Sequence, residues 1–317
     1  MINIIRTNHI NTGMAWQIVH EWEEDFSKIT KSSTAAKTFE KNNLERIMYN
    51  EKIFGAFQKL GKNNNINITF HMVPPFEFNW SSWPSFVPII IDCWPATLDR
   101  IKKFCKYNSK VFLASKQAVG ALSKNGTQNI EYAPVSISDR YKLNEYPIKE
   151  IDLLSYGRNH TSVQKWTDKL FADKKVHIVK CFKNSQNGRV VAHSNQRGII
   201  GTVENRRELI SLIKLSRHVT ASSPGVDPKD EFDYKRTGGF APVTPRFLEA
   251  AACYAKGVGI FPSNEDYRFC NIKQVANNVS NFDEFKTIIN SGYSTRIRKL
   301  TFDDFLSQHW SNVRYKQ

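Results

Sequence analysis

Short β-branched or apolar runs alternate with helix-periodic stretches along most of the chain, and no other feature constrains the fold as strongly. Ile2 to Arg6 is strand-like, Asn8 to Gly13 makes a polar turn, and Met14 to Phe26 carries apolar residues at helical spacing. Asn67 to Val73 alternates and stops at Pro74-Pro75. Phe86 to Ile91 is an apolar run suited to a strand covered on both faces, and Pro88 is expected to confine its paired part to Ile89 to Ile91. Asp92 follows, then a basic helix from Ala96 to Tyr107. Lys110 to Ala114 reads as a strand, Ser115 to Gly126 as a helix closed by Asn125-Gly126, and Asn129 to Ala133 as a strand ending at Pro134. Strands and helices spaced this way predict a parallel, doubly wound sheet.

A polar segment, Tyr141 to Glu150, contains Pro147 and reads as a linker. It divides the chain into a first domain over 1–145, a second over 146–300 and a closing helix over 301–317 that would pack back on the first domain. The second half repeats the alternation. Strands are expected at Ile151 to Tyr156, Val176 to Cys181, Gly198 to Val203, Val219 to Ser222 and Val258 to Phe261. Helices are expected at Asn205 to Arg217, Pro245 to Ala255 and Phe302 to Tyr315. Two domains suit 317 residues. The architecture implied is two Rossmann-like sheets facing a central cleft, with ligands at the carboxyl ends of the strands.

Composition removes several classes. Hydrophobic residues at 40% and aromatics at 12% exclude wholesale disorder. No stretch approaches the ~18 apolar residues of a membrane span. The start, Met-Ile-Asn-Ile-Ile-Arg, runs into a strand and lacks the apolar core of a signal peptide. Five cysteines, odd in number and without a Cys-x-x-Cys pair, argue against a disulfide framework or zinc ribbon. A reduced, cytoplasmic protein is expected. The 45 Lys and Arg against 30 Asp and Glu give a net charge of +15, a field that attracts nucleic acid, nucleotide phosphate or acidic lipid. A solvated basic surface accounts for it as well.

The most informative segment runs Thr244-Pro245-Arg246-Phe247-Leu248-Glu249-Ala250-Ala251-Ala252-Cys253. Thr244 suits an N-cap and Pro245 the first helical position. Leu248, Ala251, Ala252 and Ala255 share a face, while Arg246 and Glu249 share another and could form a surface ion pair. Their small, apolar neighbours favour close packing instead. The preceding Gly238-Gly239 leaves a helix start with open N–H groups, a natural phosphate seat.

The run from Gly198 to Ala252 resembles the donor half of the group 1 (family 4-like) glycosyltransferases of the GT-B fold. Gly201-Thr202-Val203 precedes a helix near Glu208-Leu209, Ser223-Pro224 follows a strand, and Leu248 to Cys253 matches the Leu-Glu-Ala helix. The Pro-Arg-x-x-Glu start is similar to that of the spore-maturation-protein-type subgroup. Gly157-Arg158 and Lys110 to Pro134 extend the match to about half the chain. The resemblance implies transfer of a sugar from a nucleoside-diphosphate sugar to a glycan or lipid-linked acceptor, with retention, in bacterial-type surface polysaccharide synthesis. No separate cofactor is implied.

By the same resemblance, Glu249 would bind the ribose hydroxyls, since a carboxylate accepts two hydrogen bonds at once. Arg158 would bind the diphosphate, with Lys165 as second cation, because the usual lysine position is Val163. Gly157, Thr202, Gly239, Thr244 and Arg246 would complete the donor site. The family's first glutamate is Ala241 here, and a polar segment from Gly225 to Ala241 fills that region. As the diphosphate leaves an oxocarbenium-like centre, cations aimed at it are the main resource. No Asp-x-Asp occurs, so no metal is expected in the site.

In the first domain, Gly13 could let backbone approach a phosphate or sugar, against a plain turn; His9 is a substrate-site candidate, against a surface-loop role; and Asp92, at the end of a buried strand, could bind acceptor hydroxyls. The aromatic stretch Phe76 to Pro88 with Trp94, beside Arg100, Lys102, Lys103 and Lys106, suits peripheral contact with an anionic membrane, or aromatic packing under a loop. Two other readings are a catalytically inactive GT-B-like partner and a basic nucleic-acid binder. The second lacks a zinc finger, an arginine-rich arm or RNA-type aromatic motifs, so no nucleic-acid partner is expected.

Overall fold

The computed structural model describes residues 2–6, 13–36, 66–74, 86–141, 143–184 and 189–291. The chain divides into two compact units, Met1–Pro134 and Val135–Gln317.

In the first unit, β1 (Ile2–Arg6), β2 (Ser33–Ala36), β3 (Ile66–His71), β4 (Phe86–Ile90), β5 (Val111–Leu113) and β6 (Ile130–Tyr132) form one sheet in the order β2-β1-β3-β4-β5-β6. Every pairing is parallel. Parallel neighbours require crossovers, and α1 (Met14–Thr30), α2 (Leu98–Cys105) and α3 (Lys116–Lys124) belong to them. Successive residues of β3 point to opposite faces. Phe70 meets Trp22 and Phe26 of α1 at ring separations of 6.4 and 6.2 Å, whereas His71 meets Phe104 of α2 at 6.0 Å. Helices therefore cover both faces, and β4 is buried along its whole length. Pro88 restricts pairing on one side alone: β4 pairs with β3 from Phe86 to Ile90 but with β5 only at Ile89 and Ile90. Alternate residues of a parallel strand serve opposite neighbours, so one missing N–H weakens one ladder.

The second unit carries β7 (Ile151–Ser155), β8 (Ile178–Lys183), β9 (Val190–Ser194), β10 (Gly198–Val203), β11 (Ser216–Thr220), β12 (Lys256–Gly259) and β13 (Ala276–Asn278). Their order is β10-β9-β8-β7-β11-β12-β13. The β7, β8, β11, β12 and β13 pairings are parallel, while β8–β9 and β9–β10 are antiparallel. The sheet is thus mixed rather than all-parallel. Among the described residues its helices are α4 (Thr161–Asp173), α5 (Arg206–Leu215), α6 (Glu231–Thr237), α7 (Pro245–Ala252), α8 (Glu265–Phe269), α9 (Ile272–Val275) and α10 (Phe282–Asn290).

Two apolar clusters mark the two faces. Leu153 and Val258 pack with Val163 and Leu170 of α4 and Phe285 and Ile289 of α10. Phe247 and Ala251 of α7 pack with Tyr267, Ile272 and Val275 of α8 and α9. Gly257, next to Val258, faces this second cluster: a Cβ there would lie 3.1 Å from the Phe247 ring. At Gly259 a Cβ would lie 2.1 Å from the Ala221 carbonyl oxygen, so that position admits no side chain without backbone movement.

The fold class is α/β, with two Rossmann-like doubly wound units in one chain. His9, the aromatic residues from Phe76 to Trp83 and the expected tail helix lie outside the described residues.

Candidate functional site

In the second sheet the chain runs outward from β7 to β8 on one side and returns to β11 on the other. The carboxyl ends of β7 and β11 therefore flank a topological switch point, the place where such sheets hold ligands. After β7 come Tyr156, Gly157, Arg158 and Asn159; after β11 come Ala221, Ser222 and Ser223. Gly157 has φ 64°, the left-handed conformation that glycine adopts without strain, and it turns the chain sharply into Arg158.

Arg246, in the first turn of α7, ties the two strand ends together. Its Nη1 donates to the Tyr156 carbonyl at 3.4 Å and to Asn159 Oδ1 at 3.3 Å, and its Nη2 donates to the Ser222 carbonyl at 3.2 Å. These contacts engage the two terminal nitrogens, and no hydrogen bond forms at Nε–H among the described residues. Burial pulls the Arg246 pKa below its usual value; Tyr156 and Glu249 oppose that, and the charge of the exposed Arg158 adds to it. Arg246 thus sits at the α7 start, where the helix dipole is positive, and feels the charge of Arg158. Thr244 holds the N-cap position, but its side chain makes no capping bond, and its Oγ1 is buried without a hydrogen-bond partner. The Phe247 N–H bonds the Thr244 carbonyl instead, at 3.3 Å.

Glu249 is not paired with Arg246. It is 3% exposed, and both oxygens are engaged: Oε1 accepts from Arg206 Nη1 at 2.6 Å and Oε2 from the Tyr156 hydroxyl at 2.8 Å. Arg206, at the first position of α5, lies over the Tyr141 ring with 5.5 Å to the centroid. Burial raises the Tyr156 pKa well above normal, and the adjacent Glu249 carboxylate raises it further, so the phenol stays a donor. The expectation of close packing around this helix holds, and the surface ion pair does not form.

A third group closes one side. Asp227 Oδ2 accepts from Thr161 N at 2.6 Å and Thr161 Oγ1 at 2.5 Å, while Oδ1 accepts from Lys229 N at 3.0 Å and lies 3.7 Å from His160 Nε2. Burial pushes the Asp227 pKa up, but the Thr161 and Lys229 hydrogen bonds together outweigh it and hold it below normal. Burial also lowers the His160 pKa, against the pull of Asp227. Asp227 thereby adds to the His160 cap of α4 and fastens the segment from Gly225 to Ala241 to it. Gly225 is held against Thr237, where a Cβ would lie 2.1 Å from Oγ1.

The structure brings Gly157, Arg246, Thr244 and Glu249 together around the switch point, with Arg158 beside them. Gly239, at φ 81°, is exposed between α6 and α7. Lys165 is exposed on α4. Thr202 is not gathered with them: it lies on edge strand β10, separated from β7 by β8 and β9. In the first unit, Gly13 sits at the N-cap of α1 with φ −58°, which any residue adopts, and Asp92 follows β4 with its N–H on the Met72 carbonyl at 2.7 Å. Sequence reasoning missed Tyr156, Arg206, Asp227 and His160. Nothing in their spacing marks them, for they join through contacts such as Arg206 to Glu249, 43 residues apart.

No family model and no curated protein matches the chain. Among solved structures, the UDP-GlcNAc 2-epimerase from Methanocaldococcus jannaschii is similar at 10% identity and a TM-score of 0.48, covering 99% of this chain and 98% of that one. A structure of MnaA from S. aureus with UDP is similar at 11% identity and a TM-score of 0.41, covering 92% and 88%. Both scores lie below 0.5, so function rests on the site.

Proposed function

We propose that the chain is a glycosyltransferase that takes a sugar from a nucleoside-diphosphate sugar, with the donor phosphates seated at the switch point of the second unit. The observation that carries this reading is Arg246, anchored to both strand ends and joined by Arg158 beside the positive end of α7. Glu249 is hydrogen-bonded to Arg206 and Tyr156 rather than to Arg246, and a diphosphate at the α7 start would bring further negative charge beside Arg246. Charge growing on a leaving diphosphate would be met by donors already in place, which is where electrostatic catalysis gains most. A glycan or lipid-linked acceptor, retention, and independence of metal belong to the same proposal.

A second reading is favoured by Glu249 itself. Its two oxygens are occupied, so a ribose could engage it only by displacing Arg206 or Tyr156. A GT-B-like subunit that binds a nucleotide without turnover fits that arrangement.

The test is a thermal-shift panel of nucleoside diphosphates, followed by turnover with the matching sugar donors in chelator. One diphosphate should raise Tm in the wild type, and Arg246→Ala should abolish the shift. Arg158→Lys should retain part of the turnover that Arg158→Ala loses, because lysine keeps the charge but not the fork. Equal shifts in wild type and Arg246→Ala would remove the site from this place. A shift without turnover for any donor would favour the inactive subunit.

A further inference from the structure

The antiparallel extension β8–β10 does nothing for the switch point, yet it exposes apolar side chains. Phe182 is 45% exposed, Ile199 73% and Ile200 42%. The pairing register sets Phe182 and Ile199 on one strip. Phe182 opposes Val191, two residues from His193 on the same face, and His193 opposes Ile199. The Phe182 and His193 rings are 6.3 Å apart. Between Ile199 and Gly201 the register shifts, leaving Ile200 as the extra residue of a β-bulge.

The bulge decides what can cover this strip. An unbroken edge strand invites another strand, but a bulge interrupts the outer row of N–H and C=O groups and blunts such pairing. Gly201, at φ 154°, breaks the row further. The isoleucines are therefore presented to something that needs no backbone ladder. Charge narrows the choice: from Ile178 to Glu204 the chain carries Lys180, Lys183, Arg189 and Arg197 against the single carboxylate of Glu204. Lys183, Arg189 and Arg197 are exposed, with Arg189 reaching Glu204 at 4.0 Å.

We propose that the β8–β10 extension is a docking surface for an anionic lipid bilayer, its isoleucines and Phe182 entering the interface while the flanking cations meet the headgroups. Apolar insertion and attraction to acidic lipid act together in such contacts, and neither suffices alone. This surface does not depend on the nucleotide-sugar reading.

The experiment is co-sedimentation of the full chain with vesicles of phosphatidylcholine alone or with 30% phosphatidylglycerol, alongside sedimentation equilibrium without lipid. Wild type should bind the anionic vesicles at least tenfold more tightly than the neutral ones. Ile199→Glu with Ile200→Glu, and separately Arg189→Glu with Arg197→Glu, should each weaken that binding at least tenfold with Tm unchanged. Ile148→Glu, at a 78% exposed apolar residue elsewhere in the same unit, should bind as wild type. No preference for anionic vesicles, or an isoleucine variant that binds like wild type, overturns the proposal. So does a lipid-free dimer that the isoleucine variant dissociates, which would make the occupant a second copy. The nucleotide thermal shift, measured on the same variants, reports the switch point separately.

Discussion

Truncating Glu249 to alanine tests whether this carboxylate is first a structural partner. In the folded unit it is 3% exposed and holds Arg206, itself 5% exposed, at 2.6 Å, together with the Tyr156 hydroxyl at 2.8 Å. Removing it leaves a buried guanidinium without its counter-charge, which costs about 3–5 kcal/mol. Loss of the Tyr156 bond adds about 1 kcal/mol. For a domain of this size each kcal/mol lowers Tm by about 2–4 °C, so Glu249→Ala should melt some ~8–24 °C below wild type. Circular dichroism melting at pH 7, checked by urea midpoints, measures it. Replacing both partners, Arg206→Met with Glu249→Met, should recover most of the loss, because no charge is then left unpaired. If Glu249→Ala melts within about 2 °C of wild type while nucleotide affinity collapses, the reasoning is wrong and Glu249 is a ligand group outright.

Burial holds His71 and His218 near a pKa of about 4, so each is neutral in the fold while the unfolded chain takes up its proton near 6.5. Stability should be full above pH 6.5 and fall towards pH 4, by up to about 3 kcal/mol for each ring, and His71→Asn with His218→Asn should flatten that slope in a pH series of melts. Glu23 behaves oppositely: burial lifts its pKa to about 8 although Arg6 lies 3.7 Å away. Stability carried by its neutral form should be lost between pH 4.5 and 8, and Glu23→Gln should raise Tm at pH 8.5 while leaving it unchanged at pH 5. Lys149 donates to the Lys214 and Cys253 carbonyls at 2.9 and 2.7 Å, closing the ends of α5 and α7, and burial lowers its pKa to about 8. Wild type should therefore gain stability from pH 8 to 10.5, and Lys149→Met should lose that rise along with about 2–4 kcal/mol at pH 7.

The strands of both units were legible because central parallel strands must be apolar on both faces: Phe86 to Ile90 and Ile151 to Ser155 stand out without any partner being known. Of the extension, β8 and β10 were legible at Val176 to Cys181 and Gly198 to Val203, and only β9 was not. Val190 to Ser194 is short and mixed, and Asn187-Gly188, a hairpin-type dipeptide, was the available signal for it. Helix α4 does carry a helical signal, for Val163, Thr167 and Leu170 recur at helical spacing. At the site, the start of α7 could be read from Thr244-Pro245, but the Thr244 hydroxyl does not cap it. Partner choice stayed hidden for a physical reason. Glu249 has Arg246 three residues away on its own helix and takes Arg206 instead, because α5 packs its first turn against α7 while Arg246 turns towards the strand ends.

The Asp227 contact also bears on how the second unit assembles. Helix α4 has a local cap in His160, whose Nδ1 accepts from Ser162 N at 3.1 Å. Its Thr161 N–H and hydroxyl, however, take their acceptor from a residue 66 positions further along, beyond β11, so that bond waits until the strand has joined the sheet. The chain between them must close a long loop before the bond can form. Such a contact belongs to the late side of the folding barrier, so it acts as a latch: it slows opening of the finished unit and does little to speed its formation.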